Sequence, residues 1–172
     1  MQVHLAVYPE MMASEFWEKL SKDMAKEGGI LQTRTSPEEL RGTYENGLAV
    51  ILMVDDEPAG YFAIWPMSEE YYEVGSGFIR KDLRSQGYGT ALYKKIATLS
   101  VLDGKIAFAI SKNPAAIKAG YRAGFIRHLD WKNPVPYEFT CGLCDWIEED
   151  KKPMCPDRNS SCTLCILHGG GI

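Results

Sequence analysis

An α/β fold on a mixed, mostly antiparallel sheet is predicted by three observations. Apolar residues recur at both strand and helix spacing along the first 140 positions. Three strand-like runs follow one another with only short turns between them, which favours antiparallel pairing. The full order then reads strand, two helices, three strands, helix, strand, helix, two strands, so strands and helices alternate late in the chain.

Each element has its own local reason. Gln2 to Tyr8 alternates enough for a first strand, and Ser14 is placed to cap a helix carrying Phe16, Trp17, Leu20 and Met24 at helical spacing, ended by Gly28-Gly29. Ser36-Pro37-Glu38-Glu39 reads as a capping box with proline at the first helical position. Leu48 to Val54 and Gly60 to Trp65 form a hairpin around the turn-type Asp55-Asp56-Glu57-Pro58, and Tyr72 to Ile79 is the next strand. Gly87 to Ser100 is helical, with Tyr88, Leu92, Ile96 and Leu99 on one face. Lys105 to Ile110 reads as a buried strand, Pro114 to Ala123 as a helix stopped by Gly124, and Phe125 to Trp131 and Tyr137 to Cys141 as the closing strands.

The 172 residues suit one domain, and 45% hydrophobic with 24% charged residues is ordinary globular composition. A formal charge of −4 argues against sequence-independent phosphate-backbone binding, so nucleic acid is not an expected partner. The longest apolar run, Leu48 to Val54, is far short of the roughly 20 residues of a membrane span. Met1 to Pro9 lacks the basic start and apolar stretch of a signal peptide, so a cytoplasmic location is expected.

The stretch GFIRKDLRSQGYGTAL, residues 77–92, places two glycines bracketing a tyrosine where a helix should begin. A helix start presents unpaired N–H groups and about half a unit of positive charge, and glycines there let the backbone approach an anion closely. Arg84 adds a guanidinium fork suited to phosphate oxygens. A P-loop is excluded because its glycine spacing and Gly-Lys-Ser/Thr ending are missing. The dinucleotide fingerprint is excluded because Gly75-Ser76-Gly77-Phe78-Ile79-Arg80 has arginine where a third glycine belongs.

What remains, Arg84-Ser85-Gln86-Gly87-Tyr88-Gly89, resembles the R/Q-x-x-G-x-G/A signature of the GCN5-related N-acetyltransferase (GNAT) superfamily. The downstream stretch Ser111 to Phe125, an asparagine-led helix ending in Gly-Phe, resembles that family's second segment. The resemblance covers about Gln2 to Thr140 and implies a V-shaped splay between two strands that holds acetyl-CoA as cosubstrate. It implies that the backbone of Phe78 and Ile79 pairs with the pantetheine arm and that Arg84, Ser85, Gln86, Gly87, Tyr88, Gly89 and Thr90 hold the pyrophosphate. It further implies direct acetyl transfer to an amine, which needs a base, an oxyanion donor and, in some members, an acid.

Asn113 is expected at the cofactor by this resemblance and, equally, as a helix cap before Pro114. The tyrosine that serves some members as acid would fall at Gly120, and Tyr121 lies one place later, turned by about 100° around a helix. Glu73, opening the strand toward the loop, is the leading candidate base, while Glu69 and Glu70 offer carboxylates to a cationic acceptor. His4 and His128 have weaker claims. Acceptor selectivity is expected from the segments 11–43 and 131–137, and a homodimer is compatible with the sequence.

All five cysteines fall after residue 140, in Cys141-Gly-Leu-Cys144, Cys155 and Cys162-Thr-Leu-Cys165. Two C-x-x-C knuckles seventeen residues apart match a structural zinc site of Cys141, Cys144, Cys162 and Cys165, with Cys155 and His168 as alternative ligands. The competing reading is free thiols or disulfides. The expected organisation is an acetyltransferase domain over residues 1–140 and a Cys-rich extension over 141–172, too short to hold a core unaided. The alternative function is a non-catalytic acyl-CoA sensor that acts through this tail.

Overall fold

A computed structural model describes residues 2–27, 34–144 and 147–167. The expected helix stop at Gly28-Gly29 and the alternative ligand His168 lie outside the described residues. The strands are β1 (Val3–Ala6), β2 (Ala49–Val54), β3 (Glu57–Pro66), β4 (Tyr71–Ile79), β5 (Ile106–Ser111), β6 (Ile126–His128) and β7 (Thr163–Leu167). The helices are α1 (Ser14–Ala25), α2 (Pro37–Glu45), α3 (Tyr88–Ile96) and α4 (Pro114–Arg122).

The seven strands form one sheet in the order β1-β2-β3-β4-β5-β7-β6. Every pairing is antiparallel except β4 with β5, in keeping with the mixed, mostly antiparallel sheet expected from the sequence. The hairpin between β2 and β3 turns through Asp55 and Asp56, both at positive φ (50° and 63°), the conformation that matches strand twist in a two-residue loop.

Helices cover both faces, which explains why all six residues of β2 are buried and why its sequence is continuously apolar instead of alternating. On one face, Trp17, Leu20 and Met24 of α1 and Leu40 and Tyr44 of α2 pack on Ala49, Ile51, Met53, Tyr61 and Phe78. On the other, Leu92, Tyr93 and Ile96 of α3 pack on Val50, Leu52, Phe62, Ile64 and Val74. The Ser36 capping box forms in full: its side chain accepts from Glu39 N–H while the Glu39 carboxylate accepts from Ser36 N–H. Ser14, by contrast, is already helical, and Ala13 takes the cap position with no side-chain bond.

Two expectations about the end of the chain are corrected. Tyr137 to Cys141 is not a strand: Tyr137–Phe139 and Cys141–Leu143 are single 3-10 turns. The sheet is closed instead by β7, which inserts between β5 and β6 with Ala109 opposite Cys165 and Arg127 opposite the same residue on the other side. The segment after residue 140, read as an appendage, thus contributes an interior strand whose Leu164, Cys165 and Ile166 are at most 4% exposed. The physical reason is that a short apolar run such as Thr163 to Leu167 satisfies both its backbone edges and both its faces only inside a covered sheet.

Candidate functional site

The site begins where two strands part. β4 and β5 pair in parallel only through Tyr71, Tyr72 and Glu73 against Ile106, Ala107 and Phe108. Beyond that point β5 stays paired with β7 through its opposite edge, while β4 continues to Ile79 paired with β3 alone. The result is a V-shaped gap with Glu73 at its vertex and the β4 edge from Val74 to Ile79 along one side.

Within that side β4 is bulged. The register with β3 slips between Tyr61 and Ala63, and Ser76 takes a positive φ of 54°. The slip sets Ser76 and Gly77 together against the single residue Phe62 of β3, the two-against-one count of a bulge. The Trp65 indole N–H donates to Ser76 Oγ at 3.2 Å and holds the kink. Sequence reasoning used Gly75-Ser76-Gly77 only to reject a nucleotide motif, yet glycines within a strand also signal a bulge.

At the open end of β4 the chain makes a 3-10 turn over Lys81–Leu83, anchored by buried Leu83, and enters α3 through Gly87. Gly87 sits at φ 90°, which a residue with a Cβ adopts only at a cost, and no side chain caps the helix. The first-turn amides are therefore left for an external acceptor. A Cβ on Gly89 would touch nothing nearer than Ala119 Cβ at 4.0 Å, so packing in the chain does not explain that glycine. A cradle open to close approach by an anion does, and acetyl-CoA carries such a group. The residues present fit it.

Other loop residues behave differently from expectation. Arg84 donates from Nε to Ile79 O at 2.8 Å and pairs through Nη2 with Glu27 Oε2 at 2.7 Å, tying the loop to the end of α1. One backbone group expected to meet the pantetheine, the Ile79 carbonyl, is thus already engaged by Arg84. Gln86 turns back to donate to Asp82 O at 3.0 Å. Asn113 is the cap of α4, its Oδ1 accepting from Ala115 N–H at 2.9 Å.

Glu73 Oε2 accepts from Arg34 Nη1 at 2.9 Å, and the Arg34 guanidinium lies over the Trp65 ring, 4.8 Å from its centroid. Sequence reasoning named Glu73 but missed Arg34, Trp65 and Glu27, because nothing in their local pattern announces contacts made across 31, 39 and 57 residues. Tyr121 lies on α4 and meets Cys165 of β7 and Arg127 of β6. It is 42% exposed, and partial burial followed by the Cys165 thiol raises its pKa. Its neighbour Gly120 is buried toward Tyr93 and Phe125, where a Cβ would lie 3.4 Å from the Tyr93 ring. His4 bonds Glu10 and His128 bonds Asn133 O, both away from the gap.

The cysteines divide. Cys141, Cys144, Cys155 and Cys162 line one cavity, whereas Cys165 faces the core under α4. The expected zinc set of Cys141, Cys144, Cys162 and Cys165 is therefore not assembled. Among the described residues no three His, Cys, Asp or Glu side chains stand in a metal-coordinating arrangement. Burial pushes the Cys162 thiol up to about 11 and raises Cys141 as well, the latter opposed by a hydrogen bond from Arg158. No described helix is long and apolar enough to cross a membrane.

The acetyltransferase (GNAT) family model matches residues 10–125. No curated protein matches the chain. Among solved structures, a GNAT-family acetyltransferase from Bacillus cereus aligns with TM-score 0.61 at 12% identity, covering 96% of this chain and 95% of that one. A phosphinothricin acetyltransferase from Sinorhizobium meliloti, solved with AcCoA, aligns with TM-score 0.56 at 15% identity over 74% of this chain and 77% of its own. The PaiA N-acetyltransferase of Thermoplasma acidophilum, solved with coenzyme A, aligns with TM-score 0.56 at 12% identity over 76% and 93%. At these identities the structural matches speak to the fold.

Proposed function

Because the chain belongs to the acetyltransferase (GNAT) family, we propose that it is an N-acetyltransferase using acetyl-CoA to acetylate a primary amine of a small molecule or peptide. The observation that carries this reading is the left-handed Gly87 opening an uncapped α3 at the mouth of the β4–β5 gap. Two of the matched proteins were solved with AcCoA or coenzyme A, which supports the same cosubstrate here.

The amides from Ser85 to Thr90 bind the pyrophosphate at the positive end of α3. The free edge of β4 orients the pantetheine by strand-like pairing, with Ile79 N–H as its nearest donor, since Phe78 and Arg80 turn their backbone groups toward β3. A backbone N–H at the Ser76–Gly77 bulge meets the oxygen that gains charge when the amine adds to the thioester carbonyl. Bound acetyl-CoA supplies an activated acyl group whose thiol, pKa about 8.5, leaves without an obligatory acid.

Glu73 takes the proton from the incoming ammonium, directly or through a water, at the vertex of the gap. Arg34 holds that carboxylate in place, and Trp65 holds Arg34. Arg84 acts mainly by fixing the loop against Glu27 and Ile79.

The test is release of free thiol from acetyl-CoA across a panel of polyamines, aminoglycosides, amino acids and N-terminal peptides. Amine-dependent thiol release with a matching acetylated product is expected. Tight acetyl-CoA binding with no turnover on any acceptor class would instead favour a sensor role.

A further inference from the structure

We propose that Cys141, Cys144, Cys155 and Cys162 form a four-thiolate site for one thiophilic divalent cation such as Zn²⁺, and that Cys165 is not part of it. The four residues come from three pieces of chain: a 3-10 turn over Cys141–Leu143 and the residue after it, the residue after a 3-10 stretch over Glu149–Met154, and the residue before β7. Their side chains nevertheless converge on a single cavity of about 50 Å³. That is room for an ion or a few waters.

Packing accounts for Cys141 and Cys162, which join the cluster of Trp131, Val135 and Leu164, but leaves the approach of Cys144 and Cys155 unexplained. Leu143 and Met154, the large apolar residues flanking this stretch, are 51% and 86% exposed. From Cys141 to Cys162 the described backbone makes only 3-10 turns, other turns and one isolated bridge between Arg158 and Cys162. A segment with so little buried apolar surface needs another source of folding energy, and a bound metal is one.

The surrounding charge fits. Four thiols binding one divalent cation release four protons, so the loaded site carries a net charge of −2. Arg158 donates from Nε to Cys141 Sγ at 3.0 Å, and Lys112, paired to Asp157, also lines the cavity. Lys152 donates to Gly142 O at 2.8 Å inside the same knuckle. These cations stand where they would offset the negative charge of the loaded site.

The thiols line the cavity without closing on one centre, so loading requires them to draw in to about 2.3 Å from the ion. Short turns with few packing contacts can make that adjustment. Four protein ligands leave no open position, so the role is structural: to pin the tail that carries β7 into the sheet beside β5.

The test is Co²⁺ titration of the reduced full-length protein, followed by displacement with Zn²⁺. One equivalent of Co²⁺ should give thiolate charge-transfer absorption and the intense visible bands of a tetrahedral site. Cys155→Ser should weaken binding by at least about 100-fold, while Cys165→Ala keeps it. Should Cys155→Ser fail to fold, alkylation mapping of the wild-type chain decides: Zn²⁺ should protect Cys141, Cys144, Cys155 and Cys162 and leave the reactivity of Cys165 unchanged. A wild-type chain with no tetrahedral Co²⁺ spectrum would overturn the proposal. So would Zn²⁺-dependent protection of fewer than four of these thiols, equal loss of binding in Cys165→Ala, or disulfides among the four in protein kept under cytosol-like reduction.

Discussion

Glu73 of β4 and Phe108 of β5 are the last cross-strand pair before those strands part. Backbone pairing fixes this carboxylate at the vertex of the gap, and Arg34 fixes its rotamer. Glu73→Gln should therefore lower turnover by about 10²–10⁴-fold while acetyl-CoA affinity stays within about twofold. Rate–pH profiles and calorimetry separate the two effects. Wild-type turnover in a folded Glu73→Gln protein would move the base elsewhere.

Gly89→Ala tests the cofactor cradle without disturbing the chain. The added Cβ meets nothing closer than Ala119 at 4.0 Å, and alanine in a helix is favoured over glycine by about 0.5–1 kcal/mol. The melting temperature should hold or rise while acetyl-CoA affinity falls at least about tenfold. Equal affinity in both proteins would show that phosphate does not approach this helix start.

Tyr121→Phe should leave turnover within about threefold. The ring meets Cys165 of β7 and Arg127 of β6, and β5 separates those strands from the gap. Since its pKa is raised above the ordinary tyrosine value of about 10, it should add no limb to the rate–pH profile between pH 6 and 9. A loss of 10²-fold or more in kcat at unchanged acetyl-CoA affinity would make it an acid after all.

Leu164→Ala should destabilise the whole sheet by about 2–5 kcal/mol. Leu164 is fully buried in β7 and packs with Phe108, Trp131 and Ile166. Denaturant unfolding should show one transition at lower midpoint. Loosening of the tail alone, with the remaining unfolding unchanged, would mean that β7 is dispensable to the core.

Much of the fold could be read from the chain because its signals are local. The Ser36 capping box, the turn at Asp55-Asp56 and the glycine-led start of α3 each depend on a few adjacent residues, and each is found near its expected place. The same locality explains the misses. Ser14 offers a hydroxyl one position too late to cap α1, a difference that element boundaries read from sequence do not resolve.

The sequence by itself determined the family, the mixed sheet and the glycine-led start of α3, since these rest on short-range spacing and backbone preference. Only the tertiary structure decided that Arg34 grips Glu73, that Arg84 is held by Glu27, that Tyr121 meets Cys165 and Arg127, and that the tail supplies an interior strand. It also separated Cys165 from the other four cysteines, which equal spacing in the two knuckles could not do. The physical reason is common to all of them. Side-chain partners and strand neighbours are chosen by burial and pairing between residues tens of positions apart, and no periodicity along the chain encodes which distant edge a strand will fill.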